Sequence, residues 1–208
     1  MPRPKGYGVT TPEPTAATRH ILRIQDLLDG WRALGSRRLP DGVELIARVP
    51  DVATETWLHA VFPAATAATL QALERAIGGP VPVDLRTFYR CLGGLSLFAG
   101  LFELRGYRVA GVVPGDGALR PSCVVALNHE LDALGWKADG AVAFAENRWD
   151  MSVYVVGGSG GERTVSRCER GSGRVIETHP DVLACVADRL SRLEQMVVRE
   201  PHPRHQPV

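Results

Sequence analysis

No apolar run in the 208 residues approaches the ~20 needed to cross a bilayer, and the opening MPRPKGYGVTTPEP has no apolar stretch of the kind a signal peptide carries. The expectations are therefore no membrane role and a reducing cytoplasm. Charge of one sign is equally scarce. Lys and Arg number 24 against 23 Asp and Glu, and a formal net charge of +1 removes whole-protein electrostatics as a case for direct nucleic-acid binding. The four cysteines, Cys91, Cys123, Cys168 and Cys185, are dispersed, with no C-x-x-C pair and no His at ligand spacing, so each is read as a small buried hydrophobe. No G-x-S-x-G elbow and no H-E-x-x-H occurs. The glycine run at Gly157 to Glu162 lacks the Lys-Ser/Thr ending of a phosphate loop and precedes a strand, so it reads as a hairpin turn. His59, His129 and His179 stand far apart and are read as ordinary surface or capped residues. No catalytic residue, metal or cofactor is expected.

What the chain does have is an ordinary globular composition, 45% hydrophobic and 23% charged, with enough length for one core. Residues 1–15 are proline-rich and read as a flexible tail. Residues 16–50 read as an N-terminal extension of a helix and a strand. In the helix, Ile21, Ile24, Leu27, Leu28, Trp31 and Leu34 recur at three- and four-residue steps up to Gly35. Its apolar stripe either packs on the main domain or is offered to a partner. Val43 to Val49 alternates and is read as a strand that adds an edge to the sheet, stopped by Pro50. Residues 51–198 form the main domain and 199–208 a second tail. Thr54 opens an expected helix carrying Trp57, Leu58, Val61 and Phe62, which Pro63 breaks. A further helix spans Ala64 to Ile77.

The densest stretch runs from Gly78 to Tyr107. Gly78, Gly79, Pro80 and Pro82 end one helix and open another, and Asp84 sits in a first turn, where amide dipoles favour a carboxylate. Leu85, Phe88, Tyr89 and Leu92 then share a helical face, and Gly93 with Gly94 stops the helix before a two-residue period begins. Beyond it come a loop at Pro114 to Gly117 and a short helix from Val124 to Leu134 that Asn128 is expected to cap. Four strands joined by tight turns follow, over Ala141 to Trp149, Asp150 to Val156, Glu162 to Cys168 and Gly173 to Thr178. A helix from Asp181 to Met196 closes the domain. Helices, then a strand meander, then a helix give an α+β class, with an antiparallel, possibly mixed, sheet and helices mainly on one side.

Pro82, Asp84, Leu85, Arg86, Phe88, Tyr89, Gly93, Gly94, Phe98, Leu104 and Gly106 together resemble the signature of the SUKH (SMI1/KNR4) superfamily, and the resemblance spans Trp57 to Met196. The family pattern has Asn before its turn glycine where this chain has Leu92, Gly93 and Gly94. Both Asn and Gly accept positive φ, so the turn is expected to survive the exchange. The resemblance implies a non-catalytic protein-binding module, a bacterial immunity protein that occludes a cognate polymorphic toxin domain. A regulatory adaptor of the eukaryotic type is the alternative, and a small hydrolase or transferase is the rival from another class. Arg105, Tyr107, Arg148, Trp149 and Asp150, at sheet ends and turns, are the expected surface anchors. Pro82, Asp84, Leu85, Phe88, Tyr89, Gly93 and Gly94 are assigned to holding the fold.

Overall fold

The computed structural model of the chain describes residues 15–50, 56–107, 123–135, 140–157 and 164–199. The expected tail up to Pro14, the Thr54 helix start, the Pro114 to Gly117 loop, most of the 157–162 glycine run and the C-terminal tail beyond Arg199 lie outside the described residues. Among these described residues five helices accompany nine strands. In order these are α1 (Ala16–Arg32), β1 (Ser36–Arg38), β2 (Glu44–Arg48), β3 (Trp57–Phe62), α2 (Ala67–Ile77), α3 (Val83–Cys91), β4 (Gly94–Leu97), β5 (Phe102–Leu104), α4 (Val124–Leu134), β6 (Val142–Asn147), β7 (Ser152–Val156), β8 (Val165–Glu169), β9 (Val175–His179) and α5 (Val182–Arg199). All nine strands form one antiparallel sheet whose spatial order is the chain order, β1 to β9. The α+β class is therefore observed, and every pairing is antiparallel.

Helix starts follow the local chemistry. The Thr15 and Thr66 hydroxyls accept hydrogen bonds from the amides of Thr18 and Thr69, satisfying donors that the first turns of α1 and α2 leave open. In α3, Asp84 sits in the first turn as expected, and Leu85, Phe88 and Tyr89 are fully buried. Each such side chain contributes roughly 2 to 3 kcal/mol of burial. The Tyr89 hydroxyl donates to the main-chain oxygen of Arg105 at 2.7 Å, tying α3 to the end of β5.

Two elements differ from the sequence reading. The segment Trp57 to Phe62 is a strand, β3, paired with β2 and β4, where a helix was expected. Six consecutive apolar or aromatic residues have no periodicity that separates a buried strand from a buried helix, and Val, Phe and Trp favour the strand. Its alternate residues divide between faces: Val61 joins the main core, while Ala60 and Phe62 join a second cluster with Val43 and Leu45. β1 went unread because its three residues are all exposed and carry no apolar signal. As a result β2 lies one strand inside the edge.

The largest core gathers Ile24 and Leu28 of α1, Leu70 and Leu73 of α2, Leu85, Phe88 and Tyr89 of α3 and Val186 and Leu190 of α5 over Ile46, Leu95, Leu104, Phe144 and Tyr154. The N-terminal helix thus packs on the body of the protein, and Arg23 donates to Ser191 of α5 at 2.9 Å. Leu127 and Leu131 of α4 belong to another cluster, with Ala143, Val153, Val155 and Cys168, the residues of β6 to β8 that alternate with those of the main core. Asn128 does not cap α4. Buried in mid-helix, its side chain accepts from the Ala143 amide at 3.0 Å and donates to the Ala143 oxygen at 2.7 Å, pinning α4 to β6.

His59 and His179 are buried, contrary to the surface reading, whereas His129 is exposed. Cys91 is exposed, against expectation, and Cys168 and Cys185 are buried. His59 sits between Trp31 and Phe98, with ring centroids 5.4 and 4.7 Å away, and its Nδ1 accepts from the Phe98 amide at 3.4 Å. Phe98 and Ala99 both hold positive φ, a strained conformation that brings the Phe98 ring onto His59 and Trp31.

Burial lowers the His59 pKa to about 4, so the ring is neutral in the fold. The folded value lies below the unfolded one of ~6.5, so stability is full above that pH and falls as the pH drops toward 4, when only the unfolded chain takes the proton. The loss amounts to ~3 kcal/mol over that range. Thermal unfolding at successive pH values should show it, and His59→Leu should flatten the slope. A slope unchanged in that variant would assign the effect elsewhere.

Candidate functional site

A sequential antiparallel meander puts alternate turns at the same end of the sheet, and the registers show which ones. β5 starts at Phe102, opposite Asn147 at the end of β6, and β7 starts at Ser152, opposite Glu169 at the end of β8. The turns at 98–101, 148–151 and 170–174 are therefore neighbours. The middle one projects furthest in chemical terms: Trp149 is 80% exposed and Met151 54%.

This tip is held from several sides. The Arg148 amide donates to the Leu101 oxygen of the adjacent turn at 2.9 Å. The Trp149 amide donates to the Asn147 side chain and the Ser152 amide to Asp150, both at 3.0 Å. Asp150 also forms an ion pair with Arg167 of β8. Its carboxyl is held below the usual range: burial opposes this, but the bonds to Ser152 and the Arg167 charge outweigh it.

Behind the tip lies a charged strip. Glu103 of β5 and Glu146 of β6 stand directly opposite each other, and both are buried. Like charges in that relation repel, so each needs a cation. Arg105 meets Glu146 at 2.6 Å, and Arg170 meets it at 3.0 Å while also binding Glu130 of α4 at 2.5 Å. Among the described residues the ion pair of Glu103 is with Arg148 at 3.8 Å, and that side chain is 62% exposed. Burial, seconded by the Glu146 charge, raises the Glu103 pKa above the ordinary carboxylate range. The pair consists of one carboxylate neutralised by two arginines and one whose charged form the fold disfavours, an arrangement with acid/base capacity.

Of the expected anchors, Arg148 and Trp149 are exposed at the tip. Asp150 is there too but engaged with Arg167, and Tyr107 is half-buried against the main core. Arg105 is not a surface anchor: at 8% exposure it is committed to Glu146. Glu146 is 6% exposed for the same reason. Glu103, Glu130, Arg167 and Arg170 were missed. The alternation Glu103, Arg105 placed two charges on one strand face, but their opposite numbers come from β6, α4 and the turn after β8.

A separate cleft of about 350 Å³ opens between α1, the β1–β2 hairpin and the end of α3, floored by Leu28, Val61, Phe62 and Leu92. Its Arg32 and Glu44 are bound to each other at 2.8 and 2.9 Å. Phe88 and Tyr89 do not line it and stay in the core, in the fold-holding position expected of them. No helix of the described residues is long and apolar enough to cross a membrane. No family model matches the chain, and no curated protein matches it.

Proposed function

We propose that the chain is a non-catalytic protein-binding module that uses the 148–151 tip and its flanking turns to occupy a partner. Following the SUKH resemblance of the 82–106 stretch, that partner is a toxin domain neutralised by a bacterial immunity protein. The observation that carries the reading is an indole 80% exposed on a turn fixed by four independent contacts. A large aromatic whose backbone is already ordered loses little entropy on docking, which is the usual character of an interface hot spot. Arg148 beside it supplies a charge that steers encounter.

The test is capture of the tagged chain with its partner from native cells, followed by co-expression of the two and measurement of growth. A captured toxin domain whose killing the chain suppresses supports the reading. Recovery of signalling partners alone favours the adaptor. Trp149→Ala should weaken the complex about thirtyfold or more, the loss typical of a central aromatic, with an unchanged melting temperature because the ring touches little in the free chain. A variant that binds as well as the parent would move the interface elsewhere.

A second reading, a small hydrolase or transferase, draws on one observation, the raised Glu103 carboxyl facing Glu146. Glu103→Gln separates the two. It would abolish turnover in an enzyme and leave toxin neutralisation intact in an immunity protein.

A further inference from the structure

At the other side of the sheet's last strand, a different cluster ties β9 to α5. Glu177 and His179 lie two apart on β9, and Asp188 faces them from α5. One donor atom from each lies within 4.8 Å of the others. His179 is 8% exposed, and its Nε2 is buried without a hydrogen-bond partner, 3.8 Å from Glu177 Oε1. Such an orphaned imidazole nitrogen is costly in a folded protein and marks a place where another group belongs.

Two different kinds of arginine surround the cluster. Arg189 and Arg167 hold Glu177 through Oε2, and their side chains are 9% and 15% exposed, so they are built into the packing. Arg192 is 52% exposed and touches Glu177 Oε1 at 2.9 Å and Asp188 Oδ2 at 3.0 Å. It therefore places a cation on the carboxylate oxygen nearest the unpartnered His179 nitrogen. A solvated arginine on a long stem leaves such a position at small cost. With it swung out, three carboxylates, Asp150, Glu177 and Asp188, face two guanidinium groups, and the cluster keeps a net negative charge.

We propose that Glu177, His179 and Asp188 bind a first-row divalent cation, with Zn²⁺ the best match, in exchange for the Arg192 side chain. One imidazole nitrogen and two carboxylate oxygens form a donor set that Zn²⁺ accepts, leaving a fourth position for water on the side Arg192 vacates. At metal–ligand distances of about 2.0 to 2.2 Å, tetrahedral donors lie roughly 3.3 to 3.6 Å apart, so the 3.8 Å separation closes by about 0.2 to 0.5 Å and a donor pair at the 4.8 Å limit by about 1.2 to 1.5 Å. Burial keeps His179 in the neutral form that a metal requires, despite the opposing pull of Glu177. The bound ion bridges the last strand and the closing helix. Arg167 connects this site to Asp150 of the 148–151 tip.

The experiment is calorimetric titration of ZnCl₂ into the untagged full chain carrying Cys91→Ser and Cys123→Ser, which remove the two accessible thiols, together with melting curves. One Zn²⁺ per chain and a raised melting temperature are expected. His179→Gln should weaken binding about tenfold or more and abolish the thermal shift. Arg192→Ala should tighten binding about fivefold by removing the competing cation. A misfolded variant cannot gain affinity, so the Arg192 result stands even if His179→Gln fails to fold. Absence of Zn²⁺ binding to the parent, unchanged binding in His179→Gln, or unchanged or weaker binding in Arg192→Ala overturns the proposal.

Discussion

Replacing Glu146 with Ala is expected to lower the free energy of unfolding by about 3 to 5 kcal/mol, the loss typical when one partner of a buried ion pair is removed. Arg105 has a side chain 10% exposed and its ion pair is with Glu146 at 2.6 Å. Without that carboxylate the buried guanidinium loses its close ion-pair partner, and the Arg170 link from β6 to α4 is cut as well. Glu103→Gln is the internal contrast. A carboxyl whose folded pKa is raised contributes stability that is complete at low pH and lost as the pH rises through the folded value, so its ionisation burdens the fold. The glutamine is neutral at all pH and relieves repulsion against Glu146, so stability should hold or rise slightly. Urea unfolding of both variants at pH 7 checks this, and equal losses in the two would show that the strip is not organised around Glu146.

Gly93→Ala is expected to cost at least as much, and for a reason the sequence did not supply. Gly93 was assigned to a turn needing positive φ. It is absent from the residues with positive φ, whereas Gly94, next in the chain, has φ of 154°. What Gly93 permits is close approach. A Cβ there would lie 2.1 Å from the Pro63 main-chain oxygen, a backbone atom that cannot swing away, while the Gly93 amide donates to the Phe62 oxygen at 3.1 Å. Separating the two segments to admit a methyl breaks that bond and disturbs the start of β4, where Phe62 pairs with Gly94. A loss of about 3 kcal/mol or more, or failure to fold, is expected from the overpacking and the lost bond together. A soluble Gly93→Ala protein with the parent's melting temperature would show that this junction yields more easily than its geometry implies.

Most of the secondary structure was legible because it is written locally. The spacing of Leu85, Phe88 and Tyr89, the glycines that end helices and the turn residues between the later strands each act over a few residues. The misread segments lacked a usable local signal. β3 is apolar or aromatic at every position, and β1 apolar at none, so in both the hydrogen-bonding partners decided. The candidate site was half visible. Arg148 and Trp149 stand at a turn that the sequence marks, but Arg105 was misplaced because its burial depends on Glu146, which reaches it from another strand.

The sequence by itself determined the class, the type of most elements, the motif helix and the place of the central turn, since these rest on helical and strand periods and turn residues. Tertiary structure alone decided which charges are buried together. Glu103, Arg105, Glu146, Arg170 and Glu130 come from three strands' surroundings and a helix, as do Glu177, His179, Asp188 and Arg192 from β9 and α5. A charge's partner is chosen by distance in space, and no spacing along the chain encodes the register that sets it.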